Sequence, residues 1–352
     1  MTNLGGRIHN IHYGDILIKY NEIISLKNTE IKCLTAEGET HAPKDYVQDG
    51  DIIIADTAED EMVGKTVEVQ EIGKRKVLSG LHTVFYRPPA NIFVRGWLGY
   101  WMNSSAYHNQ LFQYMTGTKV LSLSKASLAD TIIQYPSIDE QLKIVTALEE
   151  VQRQIAILES LIVKYESIKK ATVNLLLRPK YDWTVKPLGD LAFIKTGSKN
   201  TQDAIPSGKY PFFVRSPKVE RINSYSYDGE AVLVAGDGVG AGKVFHYVNG
   251  KHDCHQRVYR LRDFSSEIYG RYIYYVLSSQ FPSYMEQQND KASVDSLRLP
   301  AFKKFPVFYP KLSEQHKIVS AIDCVTHTIN KFQSELSKCQ NVKQSMLQYF
   351  FG

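Results

Sequence analysis

The chain has 352 residues, of which 43% are hydrophobic and 22% charged, with a formal net charge of +5. That length holds two ordinary domains or one large one, and the composition excludes a largely disordered, collagen-like or mucin-like chain. No run of about 18 apolar residues occurs, so a membrane-spanning helix is excluded too. Met1 to Gly6 has no apolar core of a secretory signal, and Cys33, Cys254, Cys324 and Cys339 lie scattered without a C-x-x-C pair. A cytoplasmic protein without a disulfide framework is expected. The modest positive charge is compatible with nucleic acid but does not require it.

In chain order, residues 1–135 are rich in Tyr, Gly, Ile and Val, with short apolar runs between turns. They predict a mixed, largely β module. The turn Asp49-Gly50-Asp51 feeds a strand at Ile52-Ile53-Ile54-Ala55, and Trp97–Tyr107 is an amphipathic helical stretch. The module closes on Tyr135-Pro136-Ser137-Ile138-Asp139-Glu140-Gln141-Leu142-Lys143-Ile144-Val145. From Glu140 there is no Pro or Gly until Pro179, and apolar residues recur at Leu148, Val151, Ile155, Leu158, Ile162 and Tyr165. Alternating steps of three and four make a heptad seam, so 136–178 reads as one long helix.

Residues 179–310 repeat the first module. The turn Asp228-Gly229-Glu230 feeds Ala231-Val232-Leu233-Val234-Ala235, and Tyr272–Phe281 answers Trp97–Tyr107. The closing motif returns as Tyr309-Pro310-Lys311-Leu312-Ser313-Glu314-Gln315-His316-Lys317-Ile318-Val319, identical at seven of eleven positions at an offset of 174. Residues 311–352 read as the second helix, with its seam at Ile322, Val325, Ile329, Phe332, Leu336 and Cys339, each 174 beyond its counterpart. Ser137 and Ser313 are placed to cap the two helices. Each helix is about 55 Å long at 1.5 Å per residue, and the economical partner for each seam is the other copy. The expected fold is therefore α+β: two similar globular α/β modules, a pseudo-twofold internal duplication, separated by a pair of long antiparallel coiled-coil helices.

A duplicated module ending in Tyr-Pro-x-(Ile/Leu)-x-Glu-Gln-x-x-Ile-Val and followed by a heptad helix resembles the specificity (S) subunit of type I restriction–modification systems. Trp183, Pro187-Leu188-Gly189-Asp190-Leu191-Ala192 and Thr196-Gly197 resemble the opening of one of its target recognition domains. Gly5-Gly6-Arg7-Ile8-His9-Asn10-Ile11-His12-Tyr13-Gly14-Asp15-Ile16 and Gly50–Asp56 resemble another part of such domains. The resemblance covers nearly the whole chain. It implies a non-catalytic subunit in which each recognition domain reads one half of a bipartite double-stranded DNA site, while the helix pair fixes the spacer. It also implies docking of two methyltransferase subunits and association with restriction/translocase subunits. Those partners use S-adenosylmethionine, ATP and magnesium; this subunit binds no cofactor and no metal. In one respect the chain departs from the pattern. No equivalent of Trp183–Gly197 precedes Gly5, so the first domain is shortened at its N-terminus, opens differently or takes that strand from elsewhere. The alternative reading from another class is a non-catalytic scaffold with two partner-binding modules on a coiled coil.

Lengthening each helix by four residues moves a module by about 6 Å, nearly two base pairs, and half-site spacing mirrors such geometry. Base edges are read by Arg, Lys, Asn or Gln, and phosphates are held by cations and hydroxyls. The first module offers Lys19, Lys44, Lys65, Lys74, Arg75, Lys76, Arg87 and Lys119 as DNA-binding candidates. The second offers Lys195, Lys199, Arg215, Arg221, Lys243, Lys251, Arg257, Lys291 and Arg298. Lys195, Lys199, Arg215 and Lys243 are expected in polar loops, where binding residues concentrate. Three adjacent cations at Lys74-Arg75-Lys76 suit phosphate better than one base edge. Pro136, Glu140, Gln141, Pro310, Glu314 and Gln315 recur at symmetric places and are candidates for docking two identical partners.

Other motifs fail on detail. Gly236–Lys243 resembles a phosphate loop, but Val244 stands where a P-loop needs Ser or Thr, and a strand pattern follows where a helix is required. It reads as a tight strand-to-strand turn. His252, Cys254 and His255 lack a second ligand cluster for zinc. Asp56, Glu59, Asp60 and Glu61 lack a catalytic Lys, and Arg87-Pro88-Pro89-Ala90-Asn91 lacks the order of an adenine-methyltransferase motif.

Overall fold

A computed structural model describes residues 8–27, 29–34, 46–288 and 297–352. Of the candidates above, Lys44 and Lys291 lie outside the described residues. The chain forms two α/β units linked by two long helices that pack together. The first unit takes residues 1–159 and 334–352, the second 160–333.

In the first unit the strands are β1 (Ile8–Ile11), β2 (Ile23–Ser25), β3 (Ile52–Ala55), β4 (Thr57–Ala58), β5 (Thr66–Gln70), β6 (Lys76–Ser79), β7 (Thr83–Tyr86) and β8 (Leu121–Ser122). The helices are α1 (Tyr13–Ile18), α2 (Trp97–Trp101), α3 (Ser105–Leu111), α4 (Lys125–Ala129) and the start of α5 (Ile138–Leu176). A four-stranded sheet runs β2-β5-β3-β7, with β2 parallel to β5 and the other pairs antiparallel. β1 pairs with β6 and β4 with β8 in separate ribbons.

The second unit carries β9 (Thr184–Pro187), α6 (Leu188–Leu191), β10 (Phe193–Thr196), β11 (Tyr210–Phe213), β12 (Val219–Ile222), β13 (Tyr227–Ala235), β14 (Phe245–Cys254), β15 (Val258–Arg262), α7 (Gly270–Gln288), α8 (Leu299–Lys303), β16 (Pro306–Tyr309) and the start of α9 (Leu312–Phe351). Its sheet runs β10-β15-β13-β14-β11-β12. Four of these strands restate the first unit, because β11-β14-β13-β15 has the neighbours and the parallel pair of β2-β5-β3-β7. The duplication written in the sequence is thus a duplication of topology.

The difference lies in the opening segment. In the second unit β10 adds to β15, and β9 pairs with β16 just before the closing motif. Among the described residues of the first unit β7 is an edge strand, and the stretch before Pro136 forms no ladder. Tyr135 is consequently 52% exposed where Tyr309 is 3%.

The stretch expected as one helix at Trp97–Tyr107 is broken into α2 and α3. Asn103 turns its side chain onto Thr66, accepting from its N–H at 3.0 Å and donating to its carbonyl at 2.8 Å. Ser104 then caps α3 by accepting from the Tyr107 N–H. Leu277 occupies the corresponding place in α7 and has no polar group to make that tie. Helix N-termini in both units lean on a carboxylate. Glu68 accepts from the Gly96 and Gly99 N–H groups, and Glu230 accepts from the Arg271 N–H, which offsets the orphan amides and the positive end of the helix dipole. Burial pushes the Glu68 carboxyl above its ordinary range.

α5 starts in the first unit and ends in the second, and α9 does the reverse. Within each unit their segments run antiparallel. In the first, Phe351 joins the core containing Ile144, Val145 and Leu148, while Lys343 donates to Gln152 at 2.9 Å. In the second, Leu177 joins Ile318, Val319 and Ile322, and the Tyr165 and Phe332 rings meet edge to face at 5.3 Å. Leu148, Ile155, Ile322 and Ile329 are buried and the other eight seam residues are half-buried, so no seam position is exposed. Ser137 caps α5 as expected. Ser313 does not cap α9, because it falls inside the first turn and Lys311 holds the capping place with its carbonyl. No helix among the described residues is long and apolar enough to cross a membrane.

Candidate nucleic-acid interface

In the second unit several loops are stitched together around one carboxylate. β13 ends at Ala235 and the chain returns as β14 through residues 236–244, the strand-to-strand turn expected for Gly236–Lys243. Gly238 and Gly242 sit at φ of +73° and +63°, where only glycine is comfortable. Asp237 on this turn accepts from Arg257 and, at 3.4 Å, from Arg215. The Arg257 hydrogen bond is the chief reason its carboxyl stays below the usual range.

The turn between β14 and β15 is braced in its own right. His255 is buried and its Nδ1 accepts the Arg257 N–H at 3.0 Å. Burial first, then the nearby Arg215 and Arg257 charges, push its pKa below the ordinary histidine value, which favours the neutral ring needed to accept that bond. The Gln256 N–H donates to the Lys199 carbonyl at 2.8 Å, and its side-chain amide donates to Asn200 Oδ1 at 2.6 Å. The Leu297 N–H donates to the Gly236 carbonyl, which brings Arg298 to the same place.

Arg215 and Arg257 therefore meet on Asp237, and Lys199, Lys243 and Arg298 lie on the stretches of backbone tied to that turn, which offers cations to an anionic ligand. Asn200, Gln256 and Asp237 complete the cluster. Asn200 directly follows the candidate Lys199, whereas Gln256 and Asp237 are not among the candidates, since their parts depend on partners far along the chain.

Other second-unit candidates fall elsewhere. Arg221 donates to the Gly208 and Lys209 carbonyls at 2.9 and 2.7 Å and so closes its own hairpin region. Lys251 lies over the Tyr225 ring at 4.8 Å. Lys195 is exposed, but it lies in strand β10 and not in a loop.

The first unit presents a basic cleft of about 760 Å³ lined by His9, Lys27, Lys74, Arg75 and Lys76, with Asp49 and Glu71 among the walls. Arg75 is tied back, since its guanidinium donates to the Leu26 and Thr29 carbonyls, and Lys76 lies over the Tyr46 ring. Lys74 and Lys119 are exposed, and Lys19 pairs with Asp15 on its own helix turn at 2.5 Å.

Two candidates here are structural. Arg87 makes a two-pronged pair with the buried Asp51 at 2.9 and 2.8 Å, a geometry that fixes the guanidinium fork. Lys65 donates to the Leu17 carbonyl at 3.0 Å, and partial burial lowers its pKa.

The closing motif also resolves. Gln141 and Gln315 are both 0% exposed. Gln141 accepts from the Val94 N–H and donates to the Ile92 and Pro136 carbonyls, all within 2.9–3.1 Å. Gln315 repeats this with the Tyr269 N–H and the Glu267 and Pro310 carbonyls at 2.8–2.9 Å. With their side chains buried, these glutamines fasten each unit to its helix. Glu140 is exposed, and Glu314 pairs with Lys180 at 3.0 Å.

His252 and Cys254 are buried in the sheet, where burial pushes the Cys254 thiol up to about 11. Among the described residues no group of three His, Cys, Asp or Glu side chains is placed to hold a metal.

Residues 180–337 match the family model of the type I restriction modification DNA specificity domain. The type I restriction enzyme EcoDI specificity subunit of Escherichia coli is 27% identical over 161 residues, which is 46% of this chain and 35% of that one. The match thus spans about a third of the length of the curated relative. A crystal structure of a type I restriction–modification S subunit from M. genitalium has a TM-score of 0.67 at 13% identity, covering 99% of this chain and 89% of the other. A second structure, from work on complex assembly and conformational transition of the type I R-M system, has a TM-score of 0.56 at 17% identity over 97% of this chain and 90% of its own. These two likenesses establish the fold.

Proposed function

We propose that the chain, whose residues 180–337 match the type I restriction modification DNA specificity domain, is a DNA-recognition subunit with two readers. Each unit reads one half of a split double-stranded site. The two helices that pass between the units set the interval between the halves. Two methyltransferase subunits dock on the chain, one per repeat, and restriction/translocase subunits join that assembly. The chain supplies address and geometry, and its partners supply the chemistry.

The observation that carries this reading is the paired construction. The same four-strand arrangement, closed by the same buried glutamine, occurs twice, and each of the two long helices continues from one unit into the other. Two equivalent readers joined by regular elements suit a bipartite site, since half-site spacing is a geometric property of the protein. The cationic loops around Asp237 in the second unit and the basic cleft at Lys74 in the first supply phosphate affinity, which makes binding strongly salt-dependent.

The test is to co-express the chain with the methyltransferase of its own system and measure mass and duplex binding. A complex of one chain with two methyltransferases that prefers some duplexes over bulk competitor DNA is expected. A complex that binds every duplex alike, or a chain that takes up protein partners and no DNA, overturns the reading.

A further inference from the structure

The shared sheet arrangement lets the two units be aligned residue by residue without reference to sequence identity. In the first unit Ala55 at the end of β3 faces Thr83 at the start of β7, and the next N–H, of Asp56, donates to the His82 carbonyl at 3.2 Å. In the second unit Ala235 at the end of β13 faces Val258 at the start of β15, and the next N–H, of Gly236, donates to the Arg257 carbonyl at 2.9 Å. Register and hydrogen bond together place His82 on Arg257 and Leu81 on Gln256.

Both pairs stand out from the surface. Leu81 is 67% exposed, and the His82 and Arg257 side chains are 47% and 58% exposed, with Gln256 exposed beside Arg257. In each unit the polar member faces a carboxylate on the turn that follows the central strand. His82 Nδ1 lies 3.8 Å from Asp56 and 3.4 Å from the Thr57 hydroxyl, with the Tyr13 ring edge-on at 5.3 Å. Arg257 binds Asp237, which Arg215 also meets. His82 holds φ at +55°, a left-handed backbone that a non-glycine residue adopts at a cost and that clusters at binding sites. The His82 ring is thus held in one orientation at the tip, with the Leu81 side chain projecting beside it.

We propose that Leu81-His82 and Gln256-Arg257 are the base-reading positions of the two units, an assignment that rests on the DNA-recognition reading above. Their chemistry differs in a way that gives each half-site its own content. Gln pairs with the N6 and N7 edge of adenine and Arg with O6 and N7 of guanine, so the second unit reads neighbouring purines. Leucine packs on the thymine methyl and an imidazole N–H donates to a purine acceptor, so the first unit reads a step containing an A·T pair. The gathered cations Lys199, Arg215 and Lys243 hold phosphate around the second pair and carry no sequence information.

The experiment is selection of bound duplexes from a random pool, using the chain complexed with its methyltransferase and two double variants. Gln256→Ala with Arg257→Ala is expected to erase one or two positions of one half-site, with discrimination at each falling about 10- to 100-fold. Leu81→Ala with His82→Ala is expected to do the same to the other half-site only. Selection retained at the remaining positions of the same half-site shows that the substituted unit is folded, and loss of that half-site as a whole overturns a base-reading role in favour of a structural one. A third chain, Leu81→Gln with His82→Arg, is expected to bring an adenine–guanine preference into the first half-site. If both alanine variants select the unaltered consensus in both halves, the assignment is overturned while DNA recognition stands. If the unsubstituted complex selects no consensus, DNA recognition falls and the assignment falls with it.

Discussion

Gln315→Ala is a direct test of how a unit is held to its helix. The wild-type amide is 0% exposed and makes three hydrogen bonds, accepting from the Tyr269 N–H at 2.9 Å and donating to the Glu267 and Pro310 carbonyls at 2.8 and 2.9 Å. Alanine leaves one donor and two acceptors stranded beside a new cavity. A buried group left unpaired costs about 1–3 kcal/mol. Water entering a polar cavity repays part of that, so the net loss is about 3–5 kcal/mol. Two of the three bonds join the start of α9 to the loop before α7, and the third ties it to Pro310 just before the helix. The damage is therefore expected to concentrate in the second unit. Two units need not unfold as one, so the assay is hydrogen exchange read peptide by peptide. Peptides covering 266–277 and 312–322 are expected to exchange much faster, while those covering 52–70 stay as in wild type. Gln141→Ala is expected to give the mirror result, with loss around 92–101 in the first unit. A loss below about 1 kcal/mol, or exchange raised equally in both units, would refute the fastening role.

Other perturbations have distinct signatures. Phe351 is 2% exposed and packs edge-on against Trp97 and Trp101 at 5.0 and 6.0 Å. Phe351→Ala is expected to cost the first unit about 3–5 kcal/mol, seen as faster exchange in β3 and β5 with the second unit unchanged. His246, His252 and His255 all have pKa values lowered chiefly by burial. The unfolded chain therefore binds more protons than the folded one just below the ordinary histidine pKa of about 6.5. Stability of the second unit is expected to be level above that pH and to fall as pH drops through it. Urea titrations at about pH 7.5 and 5.5 check this, and a second unit that is equally stable or firmer in acid contradicts it. Lys74→Ala with Lys76→Ala is expected to reduce the slope of log affinity against log salt by about 1–2 while leaving the selected sequence unchanged.

Much of this architecture was legible because its signals are local. The helices α5 and α9 follow from a heptad pattern uninterrupted by Pro or Gly, and the duplication follows from the repeated closing motif. The correspondence even extends to burial, since Ile144, Val145 and Leu148 are matched by Ile318, Val319 and Ile322.

What resisted reading depends on distant partners. Arg87 looks like a surface cation until Asp51, 36 residues earlier, takes both prongs of its guanidinium. Gln141 looks like part of a docking motif until its amide reaches back to Ile92 and Val94. The broken helix at Asn103 depends on a strand residue, Thr66, which periodicity does not register. The loop cluster around Asp237 is assembled from five separate stretches of chain, so no window of sequence contains it.

The most direct measurement of the central claim is the consensus selected from random duplex DNA by the unsubstituted chain with its methyltransferase bound. Two short conserved blocks separated by a fixed, unconserved interval are the result that two equivalent readers on continuous helices predict. A single uninterrupted block, or two blocks at freely varying separation, would contradict it.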